Sequence, residues 1–405
     1  MTTGIRRCTA AVALATAFPL FAGQVSQAQE QAQEPRPASG VHSPARALPG
    51  RYIVVLKDRA PAAASVPAVS ARLAKTHGGT VRQTYRTVLK GYAATMTAAQ
   101  ARRVAADPQV ASVERDVEVR GSAVQSDPPS WGLDRVDQRT LPLDHSYGYA
   151  TTAGNVTAYV VDTGIRTSHT QFQGRASVGA DEVGDGGDGQ DCAGHGTHVA
   201  GTIGGKDYGV AKGVKLVSVR VLNCRGKGSA SSIIAAADWI TAHATRPAVV
   251  NMSINGPRSN SEDSAIKKSI AAGITWVVSS GNDGADACGN SPGDIAAALV
   301  VNNATADDRR RSDSNYGSCT DLFAPGTGIA SAWNTGDRDT HSLTGTSMAA
   351  PHVTGAAALY LSAHPGASPA QVQQALLDNA TSGRIPNAGS GTPDRLLHTG
   401  GLGTP

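Results

Sequence analysis

The chain has 405 residues, 17% charged and 40% hydrophobic, which allows two or three globular domains and excludes extended disorder as the dominant state. A formal net charge of +4 is small for this length, and the one compact basic run is Arg309-Arg310-Arg311. Neither nucleic acid nor an acidic lipid surface is therefore expected as a partner.

Residues 1–28 read as an export signal. Arg6-Arg7 supply positive charge, Ala10 to Gly23 are mostly apolar, and Ser26-Gln27-Ala28 fits a small-x-small cleavage site. The apolar stretch is short for a bilayer span, and no later segment resembles one. A secreted, extracellular product free of the membrane after signal removal is expected. Removing the signal takes away Cys8 and leaves Cys192, Cys224, Cys288 and Cys319. Four cysteines in an oxidising compartment suit two disulfides, and the sequence alone leaves all pairings open.

Residues 29–49 are rich in Gln, Ala, Pro and Ser and predict a disordered pro-region. Residues 50–120 form a small unit. RYIVVLKD (51–58) has a strand pattern, VSARLAKTHGG is helical and ends on a Gly pair, and TVRQTYRTVLKGYAATM makes two strands. TAAQARRVAADP is a second helix and VASVERDVEV a last strand. The order β-α-β-β-α-β predicts an α+β ferredoxin-like sandwich. Residues 121–130, GSAVQSDPPS, read as a linker.

From Trp131 to Pro405 the pattern changes. NVTAYVVDTG, VKLVSVRVL, PAVVNMSI, GITWVVSSGN and AAALVVNNA are nearly continuous apolar runs rich in Val, as expected of strands covered on both faces. Helical segments such as HVAGTIGG, SSIIAAADWITAHA and SAIKKSIAAG alternate with them. The alternation predicts an α/β fold with a mainly parallel sheet flanked by helices, whose ligands bind at the carboxyl ends of the strands.

Four chemically distinct groups fall on that rim. Asp162 ends a strand in VVDTG, His195 begins a helix between two glycines, Asn282 ends a strand in VVSSGN, and Ser347 begins a helix in TGTSMAAPH. Acyl transfer needs such a set. A serine hydroxyl is a weak nucleophile until a base takes its proton, and an imidazole titrates in the right range to do so. A carboxylate holds the imidazole tautomer, while an amide and a helix-start N–H stabilise an oxyanion. Each residue alone also has a structural reading: Asp162 and Asn282 as turn residues, His195 as a buried hydrogen-bonded histidine, Ser347 as a helix cap. Their joint occurrence at four strand or helix ends favours chemistry. No G-x-S-x-G elbow occurs, which disfavours an α/β-hydrolase esterase. Cys192, His195 and His198 are spaced like soft metal ligands, but H-E-x-x-H and C-x-x-C are missing, so zinc is not expected.

The blocks DTGI, HGTHVAGTIGG and GTSMAAPH, in that order, resemble the subtilisin-like serine proteases of peptidase family S8. The likeness is strongest to the proteinase K branch and its aqualysin-type members, and it spans about Trp131 to Leu397. The resemblance implies that Asp162, His195 and Ser347 form a triad and that Asn282 is the oxyanion amide. It implies a secreted endopeptidase acting on proteins and peptides, of broad specificity favouring apolar or aromatic residues at P1, the position before the cut bond. A catalytically silent binding scaffold and a serine esterase are the alternatives. An extended peptide would pair with the segment holding Gly226 and Gly228 and with Ser253, Ile254 and Asn255, beside a pocket wall of Ser279, Ser280 and Gly281. Asn255 stands where that family has a glycine, and Ser279-Ser280 where small apolar residues are common.

The resemblance further implies the disulfides Cys192–Cys224 and Cys288–Cys319. It implies structural calcium and no organic cofactor. Asp134, Asp137, Gln138 and Asp144 match one calcium loop, and Asp321 with the carbonyls of Ala296 and Ala298 a second. The 50–120 unit resembles the inhibitor-type propeptide of these enzymes, a folding aid that then blocks the cleft until cleavage near Ser122-Ala123. The mature enzyme is expected to be a monomer with no C-terminal accessory domain.

Overall fold

A computed structural model describes residues 47–57, 66–117 and 123–404. The expected export signal and residues 29–46 of the pro-region lie outside the described residues. The chain divides into two units, one ending at Asp116 and the other running from Val117.

The first unit runs β1 (Ala47–Leu56), α1 (Val66–His77), β2 (Thr80–Tyr85), β3 (Gly91–Thr95), α2 (Ala98–Ala105) and β4 (Val110–Val117). Its sheet has the order β2-β3-β1-β4, with β1 antiparallel to β3 and β3 to β2. Strand β1 starts before the expected Arg51. Its Tyr52, Val54 and Leu56 are buried while the intervening residues are not, the period-2 pattern of a half-covered strand. They pack with Leu73 of α1, Tyr92 of β3 and Val104 of α2. Helix α2 begins on a capping box: Thr97 Oγ1 accepts from the Gln100 N–H at 3.3 Å, and Gln100 Oε1 accepts from the Thr97 N–H at 2.7 Å.

The second unit opens with β5 (Ala123–Ser126), α3 (Trp131–Val136), β6 (Ser146–Tyr149), β7 (Thr157–Asp162), β8 (Ala176–Asp181), α4 (His195–Gly204), β9 (Lys215–Arg220) and α5 (Ala230–His243). It continues through β10 (Ala248–Met252), β11 (Gly256–Pro257), α6 (Asn260–Ala271), β12 (Thr275–Ser279), β13 (Asn290–Ser291), β14 (Leu299–Ala304) and β15 (Leu322–Pro325). It ends with β16 (Ile329–Ala332), β17 (Thr340–Leu343), α7 (Thr346–Ala363), α8 (Pro369–Asn379), β18 (Thr381–Ser382) and β19 (Arg395–Leu396). The linker expected over 121–130 is corrected from Ala123 onward, because β5 pairs antiparallel with β6. Val124 in this ribbon is 63% exposed, so the pairing leaves no hydrophobic period in the sequence.

The main sheet has the order β18-β19-β15-β14-β12-β10-β7-β9-β8, and every neighbouring pair is parallel except β18 with β19. Every residue of β7, β10, β12 and β14 is buried, which is why these strands read as continuous apolar runs. Alternate residues feed two cores. Ala158 and Val160 of β7 pack with Val199 and Ile203 of α4 and Val353 of α7, while Tyr159 and Val161 pack with Ile240 of α5 and Ile266 of α6. The carboxyl ends of β7, β10 and β12 thus meet the starts of α4 and α7.

Candidate active site

Asp162 is the last residue of β7 and its side chain is fully buried. Its two carboxylate oxygens lie 2.7 and 2.9 Å from His195 Nδ1, and Oδ1 also accepts the Thr163 N–H at 2.7 Å. A carboxylate there selects the Nδ1–H tautomer and leaves Nε2 with a free lone pair. The imidazole side chain is 30% exposed, in contrast to the fully buried carboxylate it bonds. Burial alone would lower the His195 pKa, but the charge and hydrogen bond of Asp162, with the charge of Asp191, outweigh it and hold it above the ordinary value.

The start of α4 depends on small residues and one carboxylate. Gly194 has φ +103°, and a Cβ there would meet the Trp333 ring at 2.4 Å; a Cβ on Gly196 would meet Gly164 O at 2.1 Å. His195 can therefore approach Asp162 only because glycines flank it. Asp191 Oδ1 accepts from Thr163 Oγ1 and from the N–H groups of Ala193 and Gly194, and Oδ2 from the N–H and hydroxyl of Thr197, at 2.6–2.9 Å. Asp191 thus satisfies an orphan donor of the first helical turn and ties it to the loop after Asp162. Sequence reading passed over Asp191, whose only signal is an Asp a few residues ahead of a helix.

Ser347 lies in the first turn of α7, and its geometry follows from Pro351 one turn on. Proline has no N–H, so the Ser347 carbonyl lacks its i+4 donor. The Ser253 hydroxyl supplies one instead, at 2.8 Å, and in return Ser347 Oγ donates to the Ser253 carbonyl at 3.1 Å. The Ser347 hydroxyl thus points its proton at a backbone oxygen, and transfer to an imidazole would require the hydroxyl to turn away from it. Asn282 Oδ1 accepts both the N–H and the hydroxyl of Thr346, at 2.8 and 3.0 Å. That fixes the amide with Nδ2 as the remaining donor, close to the Ser347 N–H at the start of α7.

The expected peptide-binding residues lie at the same rim. Strands β10 and β12 are neighbours in register Met252↔Val278, so Ser253-Ile254-Asn255 and Ser279-Ser280-Gly281 leave the sheet side by side. Asn255 Nδ2 donates to Ser279 O and Ser279 Oγ donates to Asn255 Oδ1, both at 2.7 Å. Gly226, at φ +67°, turns a tight loop in which Asn223 pairs with Lys227 and Leu222 with Gly228.

The disulfides are Cys192–Cys224 and Cys288–Cys319. Cys192 is therefore no thiolate, which removes one of the three candidate zinc ligands, while His195 Nδ1 is held by Asp162 and His198 Nε2 by the Ile329 carbonyl at 2.9 Å. Among the described residues no group of three or more His, Cys, Asp or Glu is arranged to hold a metal ion. A hard cation would have to draw on amide and carbonyl oxygens as well. Asp134 accepts the N–H groups of Asp144 and His145 at 3.2 and 3.0 Å, and Gln138 Oε1 accepts the Asp144 N–H at 3.1 Å. Asp137 accepts the Gly148 N–H through Oδ2, while its Oδ1 is buried without a partner. Burial, opposed by that N–H and aided by the charges of Asp144 and Asp134, pushes the Asp137 pKa up to about 6. At the second place Gln373 Nε2 lies 3.2 Å from the carbonyls of Ala296 and Ala298 and 3.3 Å from Asp321 Oδ1. Two amide protons there face three oxygens, and Asp137 Oδ1 is unpaired at the first place; oxygen-rich sets of this kind suit a hard cation.

Comparison with known proteins agrees with this geometry. Residues 154–400 match the subtilase family, and residues 51–121 match the peptidase inhibitor I9 family. An extracellular serine proteinase of Thermus sp. (strain Rt41A) is 50% identical over 90% of this chain and 92% of its own length. Alkaline serine exoprotease A of Vibrio alginolyticus is 40% identical over 91% of this chain and 71% of its own. The crystal structure of a cold adapted subtilisin-like serine proteinase superposes with a TM-score of 0.65 at 47% identity, covering 66% of this chain and 97% of that one. An Asp-His-Ser triad is characteristic of the family. The chain belongs to the subtilase family of serine proteinases and carries an I9-type inhibitor domain ahead of its catalytic unit.

Proposed function

We propose that Ser347, His195, Asp162 and Asn282 carry out peptide-bond hydrolysis through an acyl-enzyme, in a secreted monomer that matures by cutting its own precursor near Ser122-Ala123. The observation that supports it most is the fully buried Asp162 carboxylate 2.7 Å from His195 Nδ1. Ser347 Oγ would attack the scissile carbonyl carbon as His195 Nε2 takes its proton. The oxyanion would be met by Asn282 Nδ2 and the Ser347 N–H, at the positive end of α7. Collapse of the tetrahedral species would return the proton from His195 to the leaving amine, and water would then cleave the ester by the same steps.

Subtilases typically bind calcium, and in this chain we assign it to Asp134, Asp137, Gln138 and Asp144, and to Asp321 with the carbonyls of Ala296 and Ala298. It would supply positive charge that these buried oxygens lack and tie down their loops. No helix among the described residues is long and apolar enough to cross a membrane.

Intact mass and N-terminal sequence of secreted wild type beside Ser347→Ala test the catalytic reading. Wild type should begin near Ala123, while Ser347→Ala keeps its pro-region covalently attached and loses about 10⁶-fold in peptide hydrolysis. Identical trimming together with equal hydrolysis by both would overturn it.

A further inference from the structure

Asn255 stands at the carboxyl end of β10, two residues past the Ser253 carbonyl that holds the Ser347 hydroxyl. Residues 253–255 and 279–281 leave the sheet side by side next to that hydroxyl and Asn282. On the catalytic reading of Ser347, an acyl group on its Oγ, with the oxygen toward Asn282 Nδ2, would lay its side chain in the crevice between these segments. Asn255 crosses it: both polar atoms of its amide bond Ser279, and its Cγ lies 3.7 Å from where a Cβ on Gly281 would be. Beyond the amide lies a hollow of about 510 Å³, lined among others by Asn255, Gly256, Pro257, Asp283, Gly289 and Asn290, and by none of Ser279, Ser280 or Gly281. The Asn255 side chain would then be the partition between the crevice and the hollow.

We propose that this partition sets the substrate class of the proteolytic site described above, making P1 a subsite for small side chains and closing it to aromatic ones. This rests on the catalytic reading of Ser347. A hydrogen or methyl at P1 fits with the Asn255–Ser279 pair intact. A phenyl ring must push Asn255 off Ser279, leaving the Asn255 amide and the Ser279 carbonyl and hydroxyl unpaired against hydrocarbon. Ser279 and Ser280 are both fully buried and Ser280 Oγ already lacks a partner, so the wall has no apolar side chain to offer in return. The family resemblance alone implies the opposite preference, and the difference traces to one residue that is glycine elsewhere.

Tetrapeptide anilides identical except for Ala or Phe at P1 test this with wild type, Asn255→Gly and Ser279→Ala, the folded state of each checked by circular dichroism. Wild type should cleave the Ala substrate at least tenfold better than the Phe substrate in kcat/KM. Asn255→Gly, which joins the hollow to the crevice, should shift that ratio tenfold or more toward Phe. Ser279→Ala, which removes half of the bridge, should shift it in the same direction by less, and it carries the test alone should Asn255→Gly misfold. A wild-type preference for Phe, or an unchanged ratio in the folded variants, overturns the proposal while leaving the proteolytic reading intact. If wild type cleaves neither anilide faster than Ser347→Ala does, the catalytic reading falls and takes the P1 proposal with it.

Discussion

At the residue scale the site turns on how one carboxylate treats one imidazole. In the proposed mechanism His195 must be neutral to accept the Ser347 proton, and its pKa is raised because Asp162 and Asp191 outweigh burial. The acid limb of kcat/KM should therefore lie above about 6.5, the ordinary histidine value, with activity lost as pH falls through the raised pKa. Asp162→Asn removes the charge while burial remains, so the limb should move to lower pH as kcat drops by about 10⁴. A pH–rate profile of both proteins reads the two effects separately, and a limb that does not move would sever His195 from Asp162. The stability sign is the reverse: the charged pair stabilises the fold below about pH 6.5 and fades as pH rises through the folded value. Legibility differed sharply among these residues. Asp162 and His195 sit in blocks whose glycines are forced by contact, as at Gly164, Gly194 and Gly196, and Ser347 in a block marked by Pro351 inside its helix. Asn282 lies in ordinary turn chemistry and was visible only beside the other three. Asp191 was not visible, because its five donors come from a fold that spacing does not display.

At the element scale the position of Ser347 is set by a defect in its own helix. Pro351 deprives the Ser347 carbonyl of its intrahelical donor, and the Ser253 hydroxyl replaces it from the end of β10. Ser253→Ala should leave that carbonyl unsatisfied and cost about 1–3 kcal/mol. Pro351→Ala restores an N–H one turn on, so the double variant should lose less than the single Ser253→Ala does. Denaturant unfolding of the four members of this cycle, in a Ser347→Ala background that prevents self-digestion, gives the coupling directly; strict additivity would show that the hydroxyl acts elsewhere. The long buried strands were legible because both faces of β7, β10, β12 and β14 are covered. Strand β8 was not, because its residues are all exposed or half-buried at the sheet edge. The two-residue strands β11, β13, β18 and β19 are too short to carry any period.

At the scale of the whole molecule, order in the long loops depends on bonds that hydrophobic pattern does not encode. The disulfides close sequence separations of 32 and 31 residues, each worth about 3 kcal/mol in the chain-entropy model. Calcium would do the same for the loop through Asp134, Asp137 and Asp144 and for the junction of Asp321, Ala296 and Ala298 with α8. Held at a hundred times its Kd, an ion that binds only the folded chain adds about 2.7 kcal/mol. For a unit of this size, removal by a chelator should lower the apparent midpoint of thermal unfolding by roughly 5–10 °C. Two substitutions locate the effect in Ser347→Ala protein. Asp137→Asn gives the orphaned Oδ1 position a neutral amide, so it should shrink the gap between calcium and chelator. Gln373→Glu replaces the Nε2 donor with a carboxylate among three oxygens, so it should lower stability in chelator, recover it in calcium and widen the gap. A gap that neither variant changes would move calcium to other residues, and no gap at all would leave these buried oxygens without the cation assigned to them.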